Sequence, residues 1–155
     1  MAAKDTKGEM TLRLSRTLPF RRDRVFKAWT DPEELALWFN PTPEHELKII
    51  RYDLRVGGSY ALDIKAPTGI LYRLTGTYRE VKRPEKLVYT WRMEEGYPDK
   101  DETLVSVEFH ERGEATEIVL THEKFPHRKM QEDHAQGWNA CFDRLAGYLQ
   151  GAERG

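Results

Sequence analysis

Two histidines, His122 and His134, are the side chains of this sequence best placed to move a proton, because imidazole titrates near neutral pH. His122 ends an alternating, strand-like run and His134 lies on a helical stripe, so the two can meet across an interior. The same periodicities gather side chains that are apolar along their length and polar at one tip: Tyr60, Tyr72, Tyr89, Trp91 and Trp138, with Trp38 at the rim. A buried Tyr or Trp brings an O–H or N–H that must find a partner. Several of them facing one centre are readily satisfied by a bound molecule or by trapped water. Ligand pockets are of this kind, mostly apolar with a few placed polar groups. A filled aromatic core would follow the same spacing, so both readings stand at this level.

Other chemistries find less support. His127, His122 and His134 would suit zinc, but no cysteine or acid completes a ligand set, and no metal or cofactor is expected. The sole cysteine, Cys141, excludes an internal disulfide and falls among apolar helix positions, as a buried thiol does. No serine or cysteine has a nucleophile's surroundings, and Gly57-Gly58 reads as a strand turn rather than a phosphate cradle. Arg16 sits among leucines, where it either meets a ligand carboxylate or carries its head to the sheet edge. Asp53, Asp63 and the Glu94-Glu95 pair read as solvated or turn residues.

The elements that must hold these groups are legible from periodicity and punctuation. Residues 10–18 alternate with period two, as does a half-buried strand. Val25, Phe26 and Trp29 have helical spacing, predicting a helix over about 21–30. Asp31, Pro32 and Glu34 then supply an N-cap, a first-turn proline and a capping box for a second helix over about 32–38. Strands follow at 46–52, 59–66, 70–81, 87–93, 103–109 and 116–122, joined by short turns, and so predict an antiparallel meander. The polar loop 94–101 reads as mobile. After Pro126, the residues Met130, His134, Trp138, Cys141, Phe142, Leu145, Tyr148 and Leu149 form one apolar stripe of a long helix ending near Leu149. Gly137 interrupts that helix, which suggests close approach of another element.

With 155 residues and 33% charged side chains, the chain is expected to be one domain over residues 10–150, with flexible ends at 1–9 and 151–155. Its 25 basic and 26 acidic residues nearly cancel, which argues against a nucleic-acid partner. No apolar run reaches the ~20 residues of a membrane span, and the N-terminus has no apolar signal-like stretch. A cytoplasmic location is the resulting expectation, as monomer or homodimer.

Taken in order, several short segments resemble one family: Thr30-Asp31-Pro32-Glu33-Glu34-Leu35 with Trp38, Asp53-Leu54-Arg55-Val56-Gly57-Gly58, Gly76-Thr77-Tyr78, Leu87-Val88-Tyr89-Thr90-Trp91, the Thr116-to-His122 strand and Gly137-Trp138. The resemblance is to the domain shared with the activator of the 90-kDa heat-shock protein ATPase, within the SRPBCC superfamily, also called START-like or Bet v 1-like. It covers about residues 10–150. It implies an α+β helix-grip fold: a curved antiparallel sheet wrapped around a long C-terminal helix, two short helices after the first strand, and a cavity between sheet and helix. The leading functional expectation is binding of a small hydrophobic or amphipathic molecule there, lined by Trp38, Tyr60, Tyr72, Tyr89, Trp91, His122, His134 and Trp138. The alternatives are a protein-interaction module with a chaperone partner, and a cyclase- or hydrolase-like enzyme using a pocket histidine. No catalytic residue is assigned.

Overall fold

The computed structural model describes residues 10–154. The first alternation forms β1 (Leu12–Leu18), which buries Leu12 and Leu18 and turns Arg13, Ser15 and Thr17 outward. Two short helices follow, α1 (Arg22–Thr30) and α2 (Pro32–Trp38). Six strands come next: β2 (Glu46–Tyr52), β3 (Ser59–Lys65), β4 (Leu71–Lys82), β5 (Lys86–Glu95), β6 (Thr103–Arg112) and β7 (Ala115–Glu123). The chain closes with α3 (Arg128–Arg154), whose 27 residues make a rod about 40 Å long. The helix therefore continues beyond Leu149 through residues 151–154. The ends expected at 1–9 and at 155 lie outside the described residues.

The capping chemistry at α2 is partly as expected. Asp31 accepts a hydrogen bond from the Glu33 amide at 2.9 Å, with Pro32 in the first turn. Glu34 does not complete a capping box, because the Asp31 amide is already bonded to the Lys27 carbonyl at 2.9 Å. The Glu34 carboxylate instead accepts from Lys27 Nζ at 2.6 Å, Tyr148 Oη at 2.7 Å and Arg24 at 2.9 Å, tying α1, α2 and α3 together. Burial works to raise its pKa, but those three donors outweigh it and hold the carboxyl at about 2.

All seven strands join one antiparallel sheet in the order β1-β7-β6-β5-β4-β3-β2. β2 to β7 are the expected meander, and β1 returns to pair with β7, Leu12 opposite His122 and Leu18 opposite Thr116. Register shifts at Ile49/Arg51, Arg73/Leu74 and Tyr78/Glu80 interrupt the ladders, and such irregularities bend a sheet. Between the last two, Gly76 lies so close to the Thr90 carbonyl oxygen and the Tyr60 ring that a Cβ there would overlap both. The curved sheet wraps α3 in the helix-grip arrangement. Val105, Val107, Ile118 and Leu120 of the sheet and Phe142, Leu145 and Leu149 of α3 are buried together, each worth about 1.5–3 kcal/mol of removed apolar surface. Asp63, expected to be solvated, forms a two-pronged pair with Arg73 on the adjacent strand, at 2.7 and 2.8 Å. Among the described residues, no helix is long and apolar enough to cross a membrane.

Candidate functional site

The helical stripe places His134 and Trp138 one turn apart on α3, and β5 and β7 bring Trp91 and His122 to meet them. Trp138 Nε1–H donates to His122 Nδ1 at 3.0 Å, and Trp91 Nε1–H donates to His134 Nε2 at 3.2 Å. An indole nitrogen only donates, so each bond requires a bare nitrogen on its histidine. His134 Nδ1 then carries the proton and donates to the Met130 carbonyl at 2.8 Å. His122 Nε2–H likewise faces Thr103 Oγ1 at 2.7 Å, and that hydroxyl donates onward to the Trp91 carbonyl at 3.1 Å. Every ring nitrogen in this chain of bonds has one role and one partner. Burial lowers the pKa of both histidines, His122 well below its usual value with His134 adding to the effect, and Met130 and Asp133 partly oppose the shift at His134. The two imidazoles are neutral and already engaged, an arrangement that suits positioning rather than proton transfer.

Beside this network the interior is open. A half-open cleft of about 270 Å³ lies between α3 and the sheet. Phe39, Ile64, Leu74, Trp91, Met93 and Trp138 line it, and Tyr72, His134 and Cys141 also reach it. Burial pushes the Cys141 thiol up to about 12, so it is an apolar wall group and not a nucleophile. Tyr97, from the loop after β5, closes one side: its hydroxyl donates to Asp133 Oδ2 at 2.6 Å, and its ring meets that of His134 edge-on at 5.6 Å. The Tyr97 hydroxyl is the main influence lowering the Asp133 pKa, with Lys129 adding to it against burial. A second bond, His127 Nε2 to Asp99 at 3.0 Å, fastens the same loop to the start of α3. The loop read as mobile is thus latched twice.

Of the eight side chains expected around a cavity, Tyr72, Trp91, His134 and Trp138 line this cleft. Trp38 is not at a rim: it is fully buried, with its N–H bonded to the Ala28 carbonyl at 2.9 Å. Tyr60 and Tyr89 stand behind the cleft with Tyr78, ring centres 5.5–5.7 Å apart, around a void of only about 20 Å³. His122 is fully buried behind Trp91 and Trp138. Filled core and open cavity therefore coexist, Tyr60, Tyr78 and Tyr89 forming part of the first and Trp91 and Trp138 walling the second. Arg16 reaches neither: its guanidinium lies over Phe142 and bonds Asp143 at 2.9 Å. His127 faces the loop at Asp99 and not His134, and among the described residues no three ligating side chains gather as a metal site requires. Gly137 meets no neighbouring element. A Cβ there would find nothing within 4 Å, and the residue is part of the cleft wall.

Sequence reasoning missed Asn40, Tyr97 and Asp133. Tyr97 had a signal, a lone aromatic in a polar loop. Asn40 follows the end of α2 and is 4% exposed; it lines the cleft, and its Oδ1 has no hydrogen-bond partner among the described residues.

Similarity to other proteins agrees with this architecture. A Chromobacterium violaceum protein of known structure is 28% identical, with a TM-score of 0.82 over 90% of this chain and 96% of that one. CalU16 of Micromonospora echinospora is 26% identical, with a TM-score of 0.69 over 90% of this chain and 75% of that one. The AHSA1 protein of Silicibacter pomeroyi, 22% identical, shares the fold with a TM-score of 0.79 over 90% of this chain and 97% of that one. No curated protein matches the chain. The family model described as Activator of Hsp90 ATPase homolog 1-like protein matches residues 19–150, and the chain belongs to that family.

Proposed function

We propose that this protein binds a small, partly hydrophobic molecule in the cleft between the sheet and α3, as a carrier or sensor. The observation that carries the reading is the cleft itself. Protein interiors are packed to crystal density and leave few voids larger than a water, and the void among the tyrosines behind the cleft is only about 20 Å³. A space of about 270 Å³ walled by Phe39, Trp91 and Trp138 departs from that density. It lies just below the ~300–1,000 Å³ of drug-sized ligand sites, which points to a small occupant. An acid–base enzyme is disfavoured because both nitrogens of His122 and of His134 are already hydrogen-bonded. Native mass spectrometry of gently purified protein tests the reading. It should reveal a discrete mass increment that disappears on denaturation and organic extraction. Gly137→Leu, which grows a side chain into the cleft, should fold and lose the increment. If native protein is bare and also takes up no added aromatic or aliphatic probe, the reading fails.

A further inference from the structure

The polar tips of the cleft wall are committed on one side and free on the other, and this division orients an occupant; the inference rests on the proposed binding function. On the side made by β5, the loop after it and α3, every side-chain N–H or O–H is spent within the protein. The Trp91 and Trp138 indoles donate to His134 and His122, His134 Nδ1–H to the Met130 carbonyl, and the Tyr97 hydroxyl to Asp133. The buried rings of Trp91 and Trp138 therefore offer apolar contact. On the side made by β4 and the segment after α2, the wall holds Asn40 and half-buried His45 and Tyr72. There Asn40 Nδ2, His45 Nε2 and the Tyr72 hydroxyl have no hydrogen-bond partner among the described residues. The Thr42 hydroxyl accepts from the Glu44 amide at 3.2 Å and gives its own proton to His45 Nδ1 at 2.8 Å, which leaves the imidazole proton on Nε2. His45 Nε2–H and the Asn40 amide nitrogen can only donate, and the Tyr72 hydroxyl can also do so. The free groups thus call for oxygen lone pairs, and a carbonyl oxygen, with two of them in its plane, can serve two donors. The space of about 270 Å³ is roughly twice the ~150 Å³ that accepts one benzene ring.

We infer that the cleft takes an aromatic carbonyl compound of about two rings in one orientation, its ring body against Trp91 and Trp138 and its carbonyl oxygen accepting from Tyr72 Oη–H and His45 Nε2–H.

Equilibrium dialysis at pH 7 with 2-acetylnaphthalene and 2-isopropenylnaphthalene tests this on native protein, on Tyr72→Phe and on the double variant Tyr72→Phe/His45→Phe. The two probes share a shape and differ by a methylene group in place of the carbonyl oxygen. Comparing each probe with itself across the variants cancels their different hydrophobicity. The double variant should bind the ketone about tenfold more weakly than native protein does, the worth of two neutral hydrogen bonds. Its affinity for the hydrocarbon should change by less than about twofold, since both phenylalanines keep an aromatic ring in place. Tyr72→Phe removes one oxygen that has no partner in the protein, so it should melt with native protein and weaken the ketone about threefold. That single variant decides the matter if the double variant does not fold. Unchanged ketone affinity in the variants would overturn the inference and leave the cleft function standing. Equal loss of both probes would also overturn it, because the two side chains would then act by shape alone. If native protein binds neither probe, the cleft function falls and the inference with it.

Discussion

Trp138 and His122 hold each other in one orientation: the indole N–H ends on Nδ1 of a fully buried imidazole, 3.0 Å away, and so fixes where that ring keeps its proton. The bond joins α3 to β7 in the middle of the grip, next to the Trp91–His134 bond that joins α3 to β5. Replacing Trp138 by Phe removes the donor and leaves His122 Nδ1 buried and unpaired. A loss of about 2–3 kcal/mol in urea unfolding is expected, from the orphaned acceptor plus lost packing. A loss below about 0.5 kcal/mol would show that the bond contributes nothing.

The same network makes stability fall on mild acidification. Both imidazoles are neutral when folded, with pKa values lowered chiefly by burial. Protonating either would set a new N–H against an indole N–H. The unfolded chain takes up protons from about pH 6.5 downward while the folded chain does not. Stability is therefore complete above about pH 6.5 and declines from there toward the depressed folded values, by at most about 1.4 kcal/mol per pH unit for each histidine. Urea midpoints at pH 7.5, 6.5 and 5.5 should drop over the last interval. Constant midpoints would contradict the burial of neutral histidines.

A second acid-sensitive component lies lower. Glu34 has a folded pKa of about 2 against an ordinary 4.5, so its contribution is present above pH 4.5 and is lost as pH falls towards 2. Glu34→Gln should cost about 1–2 kcal/mol at pH 7, discounted because Lys27 is largely exposed. It should also flatten the pH dependence below 4.5 without altering the histidine limb above it. If both limbs change, the two groups are coupled.

Two glycines should respond in opposite directions to alanine. At Gly76 the added methyl would meet the Thr90 carbonyl and the Tyr60 ring, backbone and core groups with no room to yield. Gly76→Ala should cost about 3 kcal/mol or more, as overpacking does at its severe end. At Gly137 the methyl enters open space within a helix, and Gly137→Ala should gain about 0.5–1 kcal/mol. Thermal melts of the two variants decide both expectations.

These contrasts mark what was legible in the sequence. The order of strands and helices could be read because local chemistry wrote it: alternation along β1, the cap at Asp31 and Pro32, the stripe from Met130 to Leu149. The fate of individual side chains depended on register. The shifts at Arg73/Leu74 and Tyr78/Glu80 bend β4 against β5, and the tyrosine cluster at Tyr60, Tyr78 and Tyr89 closes behind the cleft while Trp91 opens onto it. Unbroken alternation puts all of them in one cavity. Glu34 was misread for a related reason: its local role as a capping partner lost to three donors brought in by α1 and α3. Asn40 and Tyr97 are single residues in irregular segments, where no period marks a direction.

Tyr97 leads to the last expectation, which concerns rates. Its hydroxyl closes the loop after β5 onto Asp133 at the edge of the cleft, while the Asp99–His127 bond fastens the loop further along. Tyr97→Phe keeps the ring against His134 and deletes only the bond to Asp133. The bond is a single, only part-buried one, so global stability should change by about 1 kcal/mol or less. Opening of the loop should become easier. A cleft-bound probe such as 2-naphthol should then associate and dissociate several-fold faster in stopped-flow fluorescence, with little change in affinity. Faster exchange in Tyr97→Phe, unaccompanied by lower thermal stability, would identify the loop as the route of entry. Unchanged rates would mean that ligands reach the cleft by a route other than this loop, such as past Asn40, Pro41 and His45, which also line it.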